Sequence, residues 1–183
     1  AQAAAMAMGR AMDDVIIAAA TGTSFTGETG ATSTAAQTAI AAGGAGLTIA
    51  KLRTAKQTFD LASVDPSIPR HIVVGPEQIT NLLSTTEVTS SDFNTVKALV
   101  QGEIDSFLGF KFTVSNRLAK SGNDRTCIAF AQDGITLAIG KDVSARIDER
   151  ADKSYATQVY YCQSIGATRM EEAKVLGIVC QEA

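Results

Sequence analysis

The hydrophobic period of this chain changes once, and that change restricts the class of fold open to it. Before Gly109 the apolar residues recur at helical spacing, as in Met8, Met12, Val15, Ile16 and Ala19, and again in Ile49, Leu52, Ala55, Phe59 and Ala62. Past Gly109 they alternate, in Phe110-Lys111-Phe112-Thr113-Val114 and from Cys127 to Phe130. Val143, Ala145 and Ile147 alternate in the same way with Ser144, Arg146, Asp148 and Arg150, which predicts a half-buried strand. Tyr155 to Ile165 and Lys174 to Cys180 supply two closing strands. Helices first and strands second describe an α+β fold, not a series of βαβ units. A chain of 183 residues can bury one core, or one core shared by two small lobes.

The first twenty residues read as one slender helix, roughly 30 Å long. Arg10, Asp13 and Asp14 lie off its apolar stripe, and Arg10 can pair with Asp14 one turn on. The same charges exclude a membrane span, since each would cost a few kcal/mol in lipid, and no basic leader of a signal peptide precedes them. The sequence opens in mid-helix, with neither an initiator Met nor a cap, so we expect it to be the remainder of a longer protein.

Thr21 to Gly46 is almost entirely Gly, Ala, Ser and Thr, with Glu28 its one charge, and is expected to be a flexible surface excursion. After the Ile49 helix, with Lys51, Arg53, Gln57 and Asp60 outward, His71 to Val74 is a short strand. Gly75-Pro76-Glu77 opens another helix with Ile79, Leu82 and Leu83 inward. A polar loop from Ser84 to Asp92 and a helical patch around Val96, Leu99 and Val100 follow. Asp133-Gly134, between two apolar runs, predicts a hairpin.

Candidate chemistry is sparse. Three cysteines (Cys127, Cys162, Cys180) contain no paired motif, and one histidine (His71) gives no zinc spacing, so buried, reduced thiols are expected. Gly43 to Gly46 follows no strand and lacks the lysine of a phosphate loop, which makes it a linker. Asp13 and Asp14 are neighbours on a helix and point about 100° apart, which suits a solvated or subunit-facing surface better than acid–base work. His71 beside Arg70 has no nucleophile elbow to serve and reads as structural. Arg146, Asp148, Glu149, Arg150, Asp152 and Lys153 are either an ordinary solvated hairpin tip or an ion-pair network between subunits. No nucleophile with its base, metal set or cofactor fingerprint is visible, so neither an enzyme nor a cofactor is expected. A net charge of −3 also argues against a surface built to coat nucleic acid.

Four passages, in order, resemble the major capsid proteins of tailed bacteriophages, the HK-ninety-seven-like fold. MGRAMDDVIIAA with the loop after it looks like the long spine helix. RHIVVGPEQITNLL is similar to the strand–Pro–helix unit of the axial lobe. GEIDSFLGFKFTVSNRL resembles the strand that leads to an asparagine turn, through Gly102, Ile104, Gly109, Phe110, Val114, Ser115 and Asn116. IDERADKSYATQVYYCQSIGATRMEEAKVLGIV looks like the strands that return to the peripheral lobe.

The resemblance implies an L-shaped α+β subunit, with a peripheral domain from residues 1–46 and 141–183 and an axial domain from 47–140. It implies a homo-oligomer of pentamers and hexamers around packaged double-stranded DNA, held only non-specifically, with scaffolding and portal proteins as partners and no membrane. The location implied is the virion capsid, assembled in the bacterial host cytoplasm. The N-terminal arm and extended hairpin that the family places before the spine helix are not in this sequence, so no cross-linking or catalytic residue carries over. The subunit-interface residues expected are Arg10, Asp13 and Asp14 on the helix and Arg146, Asp148, Glu149, Arg150, Asp152 and Lys153 at the strand end. An encapsulin-type compartment shell shares these features, and a small α+β enzyme or ligand-binding domain with the Gly-rich segment as a lid is the alternative from another class.

Overall fold

The computed structural model of the chain describes residues 2–84 and 106–182. The polar loop after Ser84, the patch around Val96, Leu99 and Val100, and Gly102 and Ile104 of the capsid-like motif therefore lie outside the described residues. The mixed helix-and-sheet class expected from the change of period is what the chain adopts.

The core is one face of a six-stranded sheet. Its order is β10 (Val175–Gln181), β7 (Asp124–Ala131), β3 (Arg70–Val74), β5 (Phe110–Val114) and β4 (Ser106–Phe107), with β6 (Lys120–Ser121) also on β7. β3 and β5 are parallel, and β7 is antiparallel to both β3 and β10. The registers align Leu176, Ala129, Ile72 and Phe112 in one row across four strands, all buried. Alternation puts Val74, Cys127 and Ile178 on the same face, so the row continues into a closed apolar layer.

Helix α2 (Ile49–Leu61) covers that layer with Ile49, Leu52, Ala55 and Phe59, and Phe59 meets Phe110 at 6.0 Å between ring centres. The Thr48 side chain caps it by accepting from Lys51 N. Lys51 is not outward as its helical position predicts. It is buried, and Nζ donates to the carbonyls of Ala45 (2.7 Å), Gly46 (2.9 Å) and Val179 (3.0 Å). Ala62 lies beyond the last turn and is exposed, contrary to its place in the predicted stripe. Helix α3 (Pro76–Leu83) buries Leu82 and half-buries Ile79; the side chain of Leu83 lies outside what is described.

The low-complexity segment is not a free excursion. It forms the hairpin β1 (Ser24–Thr26) and β2 (Thr32–Thr34) and then runs along the edge of β10. Ile40 N donates to Gly177 O (2.9 Å), Val179 N to Ile40 O (2.8 Å) and Gln181 N to Ala45 O (3.0 Å). Small side chains make this possible: a Cβ on Gly177 would sit 3.1 Å from Ala39 Cβ, and one on Gly46 would collide with the Asn81 amide. Low complexity here goes with close backbone approach.

The Leu108-Gly109 turn joins β4 to β5 with both residues in the left-handed region (φ 53° and 84°), the geometry of a two-residue hairpin. Asp133-Gly134 does not make the hairpin expected of it. β7 pairs with β3 and β10, whereas β8 (Ile135–Arg150) leaves the sheet to pair with β9 (Ala156–Arg169). Gly134 lacks the positive φ such a turn requires, and a Cβ there would lie 2.9 Å from Lys174 O. It is a corner, not a loop. The two closing strands also separate, since β9 joins the β8 ribbon while β10 is zipped into the main sheet.

Candidate assembly surface

Helix α1 (Gln2–Thr21) and the β8–β9 ribbon form an outer arm. Ala20 is the one fully buried residue of α1, and with Ile17 it joins the core, so the helix meets the core only near its C-terminal end. The predicted apolar stripe, Met8, Met12, Val15, Ile16 and Ala19, is half-buried, as are Ala4, Ala11, Asp14 and Ile17. Gln163 of β9 donates to Met8 O (3.3 Å), and Arg169, the last residue of β9, reaches the carbonyls of Ala19 and Ala20. The helix thus runs parallel to β9, from its base upward.

Arg169 is the joint of this arm. Its side chain is fully buried. Nη1 donates to Ala19 O (3.3 Å), Ala20 O (3.1 Å) and Gly22 O (2.8 Å), and Nη2 to Thr34 O (3.1 Å) and Ser24 Oγ (3.4 Å). Nε donates to Glu172 at 3.1 Å. One guanidinium therefore ties the carbonyl end of α1, the β1–β2 hairpin and the foot of the ribbon together. Helix carbonyls without helical donors are the natural partners of such a cation. No periodicity marks Arg169 in the sequence; the one local sign is Glu172 three residues on.

The ribbon outruns its helix. From the Met8–Gln163 contact α1 continues back to Gln2, roughly 9 Å, whereas β9 runs back to Ala156, roughly 23 Å. Over that outer stretch the described residues of the helix do not lie against the ribbon. The half-buried strand expected at Val143 to Ile147 is exposed among the described residues, with Ile147 68% and Val159 49% accessible. These two are cross-strand partners, and Ala145 and Tyr161 follow on the same face. Arg146–Tyr160 and Asp148–Gln158 occupy the other. An unpartnered two-stranded ribbon is marginal in water, so an apolar face on it requires a covering surface.

The predicted charges fall into two separate groups. Asp14 does not pair with Arg10. Arg117, from the turn after β5, grips both its carboxylate oxygens, holding Asp14 below the usual carboxylate range and Arg117 above its own. Asp13 adds to the field on Arg117, and Arg10 is exposed. At the ribbon tip Arg150 Nε donates to Asp152 Oδ1 (2.8 Å) across a short 3₁₀ turn (Ala151–Lys153), which lowers the Asp152 pKa. Arg146, Asp148, Glu149 and Lys153 are exposed around it. The helix group faces the sheet through Arg117, and the tip group faces solvent.

A family model described as phage capsid protein matches residues 1–182. The chain belongs to the phage capsid protein family. A search of curated proteins by sequence finds no match. Among solved structures this phage capsid protein is similar to a chain of Mycobacterium phage Che8, with 20% identity, a TM-score of 0.67, and coverage of 97% of this chain and 61% of that one. It is similar to the capsid of an empty GTA particle at 14% identity and a TM-score of 0.68, covering 98% and 64%. The capsid of Cyanophage P-SCSP1u gives 17% identity and a TM-score of 0.65, covering 100% and 66%. At these identities the likeness establishes the fold, and the chain spans 61–66% of the length of those chains.

The other polar groups of this capsid-family chain lie outside the arm's two predicted charge groups. His71 stacks on Phe130, its partner on β7, at 5.6 Å. Cys127 and Cys180 are buried free thiols, but Cys162 is only half-buried, with Sγ 2.9 Å from Ser144 Oγ. Hydrogen bonds from Ser144 and then Lys141 hold its pKa below the ordinary thiol value. Glu182 lies almost wholly inside a cage of Arg125, Lys120 (2.6 Å) and Gln78 (3.1 Å), which lowers its pKa to about 2. Among the described residues no group of three His, Cys, Asp or Glu is gathered for a metal, and no helix is long and apolar enough to cross a membrane.

Proposed function

We propose that the chain is a structural subunit of an icosahedral phage capsid, which self-assembles into pentamers and hexamers around packaged double-stranded DNA. The observation that carries this reading is the arm: a helix that meets the core only near its C-terminal end, and a ribbon whose apolar face, Ile147 with Val159, is uncovered among the described residues. Rotational repetition supplies that cover, because a head-to-tail contact that closes makes a ring. The arm plays the part of the peripheral lobe, and the sheet with α2 and α3 that of the axial lobe. Assembly takes place in the host cytoplasm, with scaffolding and portal proteins as partners, and the mature location is the virion. Membership of the phage capsid family gives the subunit a structural role, not a catalytic one.

The mixed charges at the tip, Arg146, Asp148, Glu149, Arg150, Asp152 and Lys153, set which neighbouring surface the ribbon accepts, and Arg10 and Asp13 contribute from the helix. Negative-stain microscopy of the full-length product is expected to show closed shells of uniform size. Arg146→Glu with Arg150→Glu is expected to reduce their yield. Shells of normal yield and stability from that double mutant would remove the tip from the interface.

A further inference from the structure

The outward face of α2 and the Leu108-Gly109 turn line an open recess of about 480 Å³ on the side of the sheet body, and a shallower one of about 470 Å³ shares Lys56, Asp60 and Leu108 with it. Three cations, Arg53, Lys56 and Arg70, line the pair, against one carboxylate, Asp60. Asp60 is already matched by Arg70 at 2.8 Å, while Arg53 and Lys56 have no carboxylate partner among the described residues. The walls therefore keep two positive charges in a chain whose net charge is −3.

The floor carries a second, independent sign. Arg70 is 7% exposed, lies over the Phe59 ring at 5.5 Å, and uses Nη2 for Val64 O (3.1 Å) and Asp60. Its Nε is buried with no hydrogen-bond partner. A buried guanidinium N–H without an acceptor is costly and rare, so a missing acceptor is the natural explanation. Pro69 and Leu108 add apolar surface to the lining, which strengthens a charge-assisted bond made against it.

We propose that this recess binds a phosphate-type oxyanion, either free phosphate or the phosphodiester of a nucleic acid. Arg53, Lys56 and the unused N–H groups of Arg70 offer more donors than the two oxygens of a carboxylate accept, whereas a tetrahedral oxyanion can take them all. The described lining has no aromatic side chain on which a base could stack, so recognition is of the phosphate and not of sequence. The site stands apart from the arm: shells can form without it, and it can bind without shells.

The test is nitrogen-15 NMR of the full chain, following the Arg70 Nε–H resonance during titration with inorganic phosphate and, separately, with a short DNA duplex. A saturable shift with phosphate is expected. The exposed double variant Arg53→Gln with Lys56→Gln is expected to weaken it about ten-fold or more without changing the melting temperature, while Arg150→Gln has no effect. Duplex binding that is competed by phosphate and lost in the double variant identifies the phosphodiester; phosphate binding without duplex binding identifies the free ion. No saturable shift with either probe, unchanged affinity in the double variant, or tighter binding of a glutamate-rich peptide than of phosphate would overturn the proposal.

Discussion

Arg169→Ala removes the joint between helix, hairpin and ribbon, and the loss can be worked from its contacts. The side chain is fully buried and donates to four carbonyls, to Ser24 Oγ and to Glu172. Truncation leaves the carbonyls of Ala20, Gly22 and Thr34 short of a donor, each a loss of about 1–3 kcal/mol if water does not replace it. Water will enter part of the space left behind, so the expected loss is about 3–5 kcal/mol, out of a total that for a domain is roughly 5–15 kcal/mol. For a chain of this length that corresponds to a fall of roughly 10–15 °C in melting temperature. Urea denaturation of the unassembled chain, followed by circular dichroism, measures it. Arg169→Lys should fall between, since three donors replace five. Hydrogen exchange should show the last turn of α1 losing protection before the sheet does. If Arg169→Ala lies within about 1 kcal/mol of wild type, the arm is held by its apolar stripe and the joint is incidental.

Three further outcomes follow from the same geometry. Glu182 has its folded pKa depressed to about 2 from an ordinary 4.5, so its stabilisation is present above the higher value and lost as pH falls towards the lower. The stability difference between wild type and Glu182→Gln should therefore shrink steadily as unfolding is measured from pH 5 to pH 2, and a constant difference would contradict the cage. Gly134→Ala places a Cβ 2.9 Å from Lys174 O and 3.1 Å from Ala131 O, both backbone atoms that cannot rotate away. It should cost about 1–3 kcal/mol in chemical denaturation, and a neutral result would mean the corner is free to relax. Asp14→Asn, by contrast, removes one partner of an ion pair that is more than 40% exposed on both sides. Its melting temperature at physiological ionic strength should match wild type, and a clear drop would show the helix to be held to the sheet by that pair.

Much of the local structure of the arm and the sheet is legible in the sequence. The apolar stripe of α1 and the strand at Phe110 to Val114 lie where their spacing puts them, and the turn through Ser115 and Asn116 lies where the resemblance to phage capsid proteins implies it. The charges at the ribbon tip were visible as a run, and they stay exposed. What spacing could not give was partners between distant segments: Asp14 with Arg117 rather than Arg10, Arg169 with α1, Glu182 with Arg125. Lys51 illustrates the limit. Its position on the helix wheel is polar, yet three carbonyls from two other segments converge on it.

Local periodicity by itself determined that this chain is helical first and stranded second, and that α1 is slender and amphipathic. Those properties depend on interactions a few residues apart, which the sequence states directly. Tertiary structure alone decided that the glycine- and alanine-rich segment is laid against β10, that Asp133-Gly134 is a corner and not a hairpin, and that β9 and β10 part into different sheets. Each of these turns on which backbone edge is vacant and how closely another chain segment can approach it. That is a property of the assembled sheet, and an alternating pattern of side chains does not encode it.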